Sequence, residues 1–266
     1  MPELPEVETV KRELAQAIVG KKIVEVIINN PKVIRQPKPK EFSEGLKNLS
    51  VKEILRKGKL LIIQLSNGKS LAIHLKMTGQ LIFPGDGSNS RVSFKFSDGK
   101  FMDFRDRRLF AELSLVNDWR ELKFIKSLGP EPFDLTQSEF RQMLIKKNSK
   151  IKPLLMDQNF VSGIGNLYAA EALFRARIHP ERKASSLTEK ETNLLFKEIN
   201  GTLHEAIKSK GSSIDQYVQL DGQRGGYVKY HKVYGRQNKP CLVCKMPIKR
   251  ISMGGRGTYF CPRCQK

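Results

Sequence analysis

Long apolar runs are missing from this 266-residue chain: no stretch approaches the roughly 18 consecutive apolar residues that a membrane span needs. The opening MPELPEVETV carries neither the basic nor the apolar region of a signal peptide, so a soluble, cytosolic protein is expected. Acid is scarce as well. Lysine and arginine number 48 against 27 aspartates and glutamates, a formal net charge of +21, and such an imbalance points to a polyanionic partner. The shortage is sharpest from residue 222 to 266, where 11 basic residues stand without one carboxylate, a pattern suited to a phosphate-contacting surface. Internal repeats and low-complexity tracts are also lacking. What remains, 39% hydrophobic residues with 14 phenylalanines, is enough to close a core and excludes charge-driven disorder. The length suits two ordinary domains.

Cysteine is rare and clustered beyond chance: all four lie in the last 26 residues, as Cys241-x2-Cys244 and Cys261-x2-Cys264. Two such pairs with 16 residues between them fit the spacing in which four thiolates surround one tetrahedral Zn²⁺. A disulfide framework is disfavoured without secretion, and a redox CxxC without a surrounding βαβ pattern. Four thiolates leave no open position for metal catalysis, so the ion is expected to be structural.

Val7, Val10, Leu14 and Ile18 recur at helical spacing over residues 6 to 19, with Pro5 suited to the first turn and Gly20 to the stop. From Lys22 to Val116 the pattern changes to strands: KIVEVIINN, KLLIIQL, SLAIHL, RVSFKF, KFMDFR and LFAELSLV. Asn67-Gly68 and Asp98-Gly99 mark two hairpin turns, which predicts an antiparallel sandwich or barrel. After LGPEPF the chain turns helical, with capping boxes at Thr136-x-x-Glu139 and Thr188-x-x-Glu191. Residues 150 to 180 read as helix, a glycine turn at Gly163 and Gly165, and a second helix from Asn166, a geometry whose converging backbone N–H groups suit a phosphate. A longer helix over 189 to 209 and a mobile loop, GSSIDQYVQLDGQRGGY, lead to the zinc hairpin. The expected fold is therefore α+β in two domains. An amino-terminal helix plus antiparallel β-sandwich spans 1–132, a helical region 133–224 and a four-cysteine zinc hairpin 225–266.

The PELPEVE start, the GxGN turn at Gly163 to Asn166, the YGR at 234 to 236 and GRGTYFCPRCQ at 255 to 265 together resemble, in order and spacing, the formamidopyrimidine-DNA glycosylases. The resemblance spans the whole chain. It implies a bifunctional DNA glycosylase and AP lyase with a helix-two-turn-helix motif and one zinc ion, acting on damaged double-stranded DNA as a monomer in a bacterial cytoplasm, at the nucleoid. Oxidised purines, 8-oxoguanine opposite cytosine and formamidopyrimidines, are the implied substrates, and β,δ-elimination the implied strand cut.

In bare chemical terms, Pro2 freed of Met1 presents a secondary amine with a pKa near that of an α-amino group, roughly 8, so some neutral nucleophile exists at neutral pH. The resemblance implies that this amine attacks a sugar C1′ and forms a Schiff base, while Glu3 protonates the ring oxygen or shuttles protons. Glu6 is implied to act by position, Lys59 in proton transfer near the lesion phosphate, and Arg256 on phosphates during the second elimination. A glycosylase must also hold the target nucleotide out of the stack and fill the gap. Met77, Arg108 and Phe110 match the family's wedge, although by periodicity alone Met77 and Phe110 read as core. His74, Asn89, Lys152, Asn166 and Tyr234 match positions that grip the DNA backbone; read without the family, His74 is as well explained as a buried core histidine.

The chain departs from the family where a His-x-His is usual and Asn89-Ser90-Arg91 stands, at Asn148 in place of a basic residue flanked here by Lys147 and Lys150, and at Asp215 in the presumed lesion-reading loop. Two alternatives share most of these features. One is an endonuclease VIII-type enzyme for oxidised pyrimidines, against which Leu4, Arg108 and Phe110 speak. The other is a noncatalytic zinc-hairpin DNA-binding protein, which only Pro2, Glu3 and Lys59 separate from the enzyme.

Overall fold

The computed structural model describes residues 1–266, which divide into two compact units. The expected boundaries at 132 and 224 follow chain order, but the units do not. Residues 1–126 are joined by 207–226 in the first unit, and 127–206 by 227–266 in the second. The return of 207–226 has a local cause: Tyr217 and Leu220 are buried in the first unit's core, and two carboxylates of the first helix accept backbone N–H groups from the segment.

In the first unit, α1 (Leu4–Ile18) turns Val7, Val10, Leu14 and Ile18 into the core, all within 1% of complete burial, as the helical spacing requires. β1 (Ile23–Ile28), β2 (Ile34–Gln36), α2 (Pro39–Leu46), β3 (Val51–Lys57), β4 (Leu60–Leu65), β5 (Ser70–His74), β6 (Gly79–Gly85), β7 (Val92–Phe96), β8 (Phe101–Asp106), β9 (Glu112–Val116) and the single turn α3 (Lys123–Lys126) follow. The strands form a four-stranded sheet ordered β1-β7-β8-β6 and a five-stranded sheet ordered β2-β9-β5-β4-β3. Every pairing is antiparallel except the short β2 with β9. Asn67-Gly68 and Asp98-Gly99 make the two anticipated hairpins, β4–β5 and β7–β8, with both glycines at positive φ.

β4 is buried on both faces, which explains why LLIIQL does not alternate. Leu61, Ile63 and Leu65 point into the sandwich core with Phe94, Phe96 and Phe104, whereas Leu60 and Ile62 pack under Trp119, Leu122 and Ile125. β2, β3, β6 and α2 lie outside the elements expected from the sequence. β3 is an edge strand with mostly polar residues, and β6 carries glycine at both ends and Pro84, so neither shows a clean two-residue period.

The second unit contains α4 (Gln137–Ile145), α5 (Ile151–Met156), α6 (Asn166–Arg175), most of α7 (Glu189–Lys208) and the hairpin of β10 (Lys249–Met253) with β11 (Arg256–Phe260). Both predicted capping boxes form: Thr136 and Thr188 each accept from the amide three residues on, and Glu139 and Glu191 reach back to the cap. The core of this unit is Phe140, Leu155, Tyr168, Leu173 and Leu195 with their neighbours. No helix is long and apolar enough to cross a membrane.

Candidate active site and nucleic-acid interface

The residues singled out above are divided between the two units. In the first, Pro2 and Glu3 are buried immediately ahead of α1, whose opening Leu4-Pro5 needs no side-chain acceptor at the proline, which has no N–H. Glu6, 3% exposed, fixes this start: its Oε2 accepts the Glu3 N–H at 2.8 Å and its Oε1 the Ser212 N–H at 2.9 Å. Gly211 sits against the same carboxylate at φ +78°, and an added Cβ would lie 3.0 Å from Glu6 Oε1 and 2.8 Å from Tyr217. Glu13 holds the far side of the loop by accepting the Leu220 N–H at 2.9 Å. The segment read as mobile is thus anchored at its base to α1, and Ile214, at 45% exposure, marks its open apex.

Lys59 lies in the β3–β4 turn, only 8% exposed, next to Gly58 at φ +57°. Its turn is braced by a pair the sequence reading missed. Arg56 donates from Nε to Glu8 at 2.9 Å and from Nη1 to the Gly58 carbonyl at 2.9 Å, tying α1 to the turn. Burial opposes the Glu8 charge, but the Arg56 and Arg12 guanidiniums prevail and hold its carboxyl below the ordinary range. The available signal was an acid on the core-facing side of α1, at helical spacing from Leu4.

His74 ends β5. Its Nδ1 accepts the Lys76 N–H at 3.0 Å, so Nε2 carries the proton of the neutral ring. Burial, with the cations of Lys76 and Lys59, brings its pKa down to about 3. At neutral pH His74 is therefore an uncharged N–H donor, suited to a phosphate oxygen.

Met77, Arg108 and Phe110 are brought together. Met77 and Phe110 are 41% and 50% exposed, which removes them from the core; the Arg108 guanidinium lies 4.5 Å over the Phe110 ring and donates to Met77 Sδ at 3.5 Å. Two large apolar side chains held in water around a cation suit contact with a partner rather than core packing. Asn89 is exposed in the β6–β7 loop at φ +50°, a conformation asparagine tolerates better than most residues.

In the second unit, Lys152 is 1% exposed, and its Nζ donates to Asn166 Oδ1 at the head of α6. Asn166 Nδ2 in turn donates to Tyr234 Oη at 3.4 Å and to the Gly257 carbonyl at 3.1 Å. Three of the predicted backbone-gripping residues are thereby joined to the strand that begins with Arg256, which is exposed at the Gly254-Gly255 turn. The glycine turn itself is laced by Gln158, whose Nε2 donates to the Ile164 carbonyl and whose Oε1 accepts the Gly163 N–H. Glu171 also escaped the sequence reading. It is completely buried and accepts the N–H groups of Lys232, Val233 and Tyr234 at 2.8, 3.0 and 2.8 Å. Burial raises its carboxyl against the pull of those donors. An acid inside the apolar run LYAAEALF was the signal. Of the departures, Asn148 accepts from Ser185, while Lys150 pairs with Glu181 at 2.6 Å.

The four cysteine sulfurs lie within 4.8 Å of one another, with Cys241–Cys264 at 3.9 Å and Cys244–Cys261 at 3.4 Å. Sulfurs about 2.3 Å from one zinc ion are about 3.8 Å apart at tetrahedral angles, so the set fits Zn²⁺. The Val243 and Cys264 N–H groups point at Cys241 and Cys261 sulfurs, as expected for thiolates. These cysteines hold one structural zinc ion.

Three family models match in order: the formamidopyrimidine-DNA glycosylase N-terminal domain over residues 1–113, its H2TH domain over 128–218, and the zinc finger found in FPG and IleRS over 238–266. The formamidopyrimidine-DNA glycosylase of Pelotomaculum thermopropionicum is 42% identical, covering 100% of this chain and 99% of its own, and that of Bacillus anthracis 39% over the same shares. Among solved structures, the Thermus thermophilus MutM (FPG) protein superposes with a TM-score of 0.90 at 37% identity, covering 99% of this chain and 98% of its own. A Lactococcus lactis FPG mutant bound to a Fapy-dG containing DNA reaches 0.91 at 36% identity over 100% of both chains. Agreement in sequence, module order and fold along the full length establishes that the chain belongs to the formamidopyrimidine-DNA glycosylase family and is an enzyme, a DNA glycosylase.

Proposed function

We propose that this protein works in base excision repair by releasing oxidised purines, 8-oxoguanine opposite cytosine and formamidopyrimidines, and then cutting the strand as an AP lyase. The observation that carries the reading is the buried Pro2-Glu3 start, fixed by Glu6 and preceded in the sequence by Met1. Met1 must be removed first, because the nitrogen of an internal proline is an amide without a usable lone pair.

The Pro2 nitrogen forms a bond to C1′ as the bond from C1′ to the base breaks, its electron pair leaving with the base, which takes up a proton. Loss of the ammonium proton and rupture of C1′–O4′, with O4′ protonated from Glu3, gives the iminium. That cation is the electron sink for removal of a C2′ proton and departure of the 3′ phosphate, then of a C4′ proton and the 5′ phosphate. Lys59 relays protons beside the lesion phosphate, and Arg256 holds the phosphate of the second elimination. His74, Asn89, Lys152, Asn166 and Tyr234 grip the DNA backbone, while Met77, Arg108 and Phe110 fill the space of the extruded nucleotide. In this reading 1–132 is the catalytic module, 133–224 and 225–266 carry the DNA-binding motif and zinc hairpin, and the protein acts in the bacterial cytoplasm as a monomer.

Borohydride trapping on a duplex with 8-oxoguanine opposite cytosine tests it. A stable cross-link mapped to Pro2 is expected, and Pro2→Gly and Glu3→Gln should abolish base release while binding persists. Base release undiminished in both variants would refute the assignment; a cross-link only on an oxidised-pyrimidine duplex would move it to the endonuclease VIII type.

A further inference from the structure

The wedge side chains stand in solvent, so something other than core packing must hold them ready. Asp106, at the end of β8 and 2% exposed, touches both segments that carry them. Its Oδ1 accepts the Thr78 hydroxyl at 2.5 Å and the Arg108 N–H at 3.2 Å, and its Oδ2 accepts the Ala111 N–H at 2.8 Å. Thr78 follows Met77, and Arg108 and Ala111 bracket Leu109 and Phe110. Leu109 is at φ +56° and Lys76 at +48°, left-handed conformations that ordinary side chains disfavour by about 1 kcal/mol or more. Both wedge turns are therefore strained, and one carboxylate closes both.

A further contact reaches the same residue from the β6–β7 loop. Arg91 Nε donates to the Asp106 carbonyl at 2.8 Å, and the Arg91 N–H donates to the Phe104 carbonyl at 2.7 Å. The loop that carries Asn89 is thereby joined to the backbone of the residue whose carboxylate holds the wedge turns.

We infer that Asp106 is the positioning residue of the wedge: its buried carboxylate keeps Met77, Arg108 and Phe110 assembled before DNA arrives, and so sets how well the enzyme handles a lesion that is still base-paired. The inference rests on the base-excision reading above. A preassembled wedge spends no binding energy on its own ordering, and that saving matters most where a paired nucleotide must be unstacked. An abasic site has no base to extrude and needs the wedge less. Asp106 touches no reacting atom, so its loss should fall on the flipping step and not on the Schiff base.

The test compares wild type, Asp106→Asn and Thr78→Val in two single-turnover assays, release of 8-oxoguanine paired with cytosine and cleavage of a preformed abasic site. A 2-aminopurine beside the lesion reports unstacking, and thermal unfolding is followed in parallel. Asparagine places an N–H donor where a carboxylate oxygen accepted, and valine deletes the Thr78 donor without changing shape. Losing such a charge-assisted bond corresponds to about a tenfold effect. For Asp106→Asn the ratio of paired-lesion release to abasic-site cleavage should fall by about that factor, with a weaker 2-aminopurine rise. Thr78→Val should shift the ratio in the same direction, and the double variant should fall short of the product of the two. An unchanged ratio in both variants, or equal losses in the two assays together with a lowered melting temperature, would overturn the inference while leaving the base-excision reading intact. Absence of base release by the wild type would instead overturn that reading.

Discussion

Replacing Glu171 tests how the zinc-bearing part of the chain is held to the helical part of its own unit. The carboxylate is completely buried and is the acceptor for three consecutive N–H groups at 2.8 to 3.0 Å, those of residues 232 to 234. Bonds to a charged acceptor are worth roughly 1.5–3 kcal/mol each, but three on one carboxylate do not add, and relief of the buried charge returns part of the loss. Glu171→Ala should therefore destabilise the second unit by about 3–5 kcal/mol. Glu171→Gln keeps one accepting oxygen but turns a donor toward one of the amides, and should cost about 1–3 kcal/mol. Urea unfolding followed by far-ultraviolet circular dichroism measures both, since α4 to α7 lie in or almost wholly in this unit. Tyr234, the last of the three donors, also meets Asn166, so the Gln variant should weaken DNA binding as well, without changing the slope of log K against log salt, because neither residue carries a charge. An alanine variant within about 0.5 kcal/mol of wild type would refute the assignment of this carboxylate as the anchor.

Zinc removal by a chelator should release one ion per chain and abolish tight DNA binding, read by metal analysis and fluorescence anisotropy, while the fluorescence of Trp119, packed on the sandwich, persists. Glu8 is held below the ordinary carboxylate range, so its contribution to stability is present above about pH 4.5 and is lost as pH falls through the folded value. Glu8→Gln should flatten the acid limb of a stability-against-pH curve, and an unaltered limb would count against the Arg56 pairing. His74, lowered to about 3, is neutral in the fold while an unfolded histidine protonates near 6.5. Stability should therefore decline as pH falls from about 6.5 toward 3, by up to about 1.4 kcal/mol per unit for this group. By NMR the His74 ring should show no titration between pH 8 and 5, where roughly normal behaviour would refute its burial among cations.

The parts of the fold legible in the residues were those whose pattern has one physical cause. α1 shows a clean 3.6-residue period because only one face meets the core, and Asn67-Gly68 and Asp98-Gly99 read as hairpins because those residues accept positive φ. The four cysteines were equally readable, since their spacing is the geometry of the metal. Edge strands such as β3 blur because one side of the strand faces water. Among the candidate site residues, those expected at the DNA were named from motifs. The supports beneath them, Arg56, Asp106, Gln158 and Glu171, were not, because each acts on backbone N–H or C=O groups, which every residue carries and no motif marks; of these contacts only those of Glu171 reach far along the chain, to the amides of 232 to 234. Met77 and Phe110 show the opposite failure: periodicity argues for burial and only the family match argues against it, while the fold leaves both side chains exposed.

Both units are assembled from two separate lengths of chain, and this governs the order in which the protein can mature during synthesis. When residue 126 leaves the ribosome the sandwich still lacks Tyr217 and Leu220, and α1 still lacks the amides of Ser212 and Leu220. Those arrive only after the intervening 127–206 has been made. The metal-binding sulfurs follow later still, Cys264 last. A truncated nascent chain thus carries the Pro2-Glu3 start without its loop and without the zinc hairpin, so the end that is synthesised first is among the last to be completed.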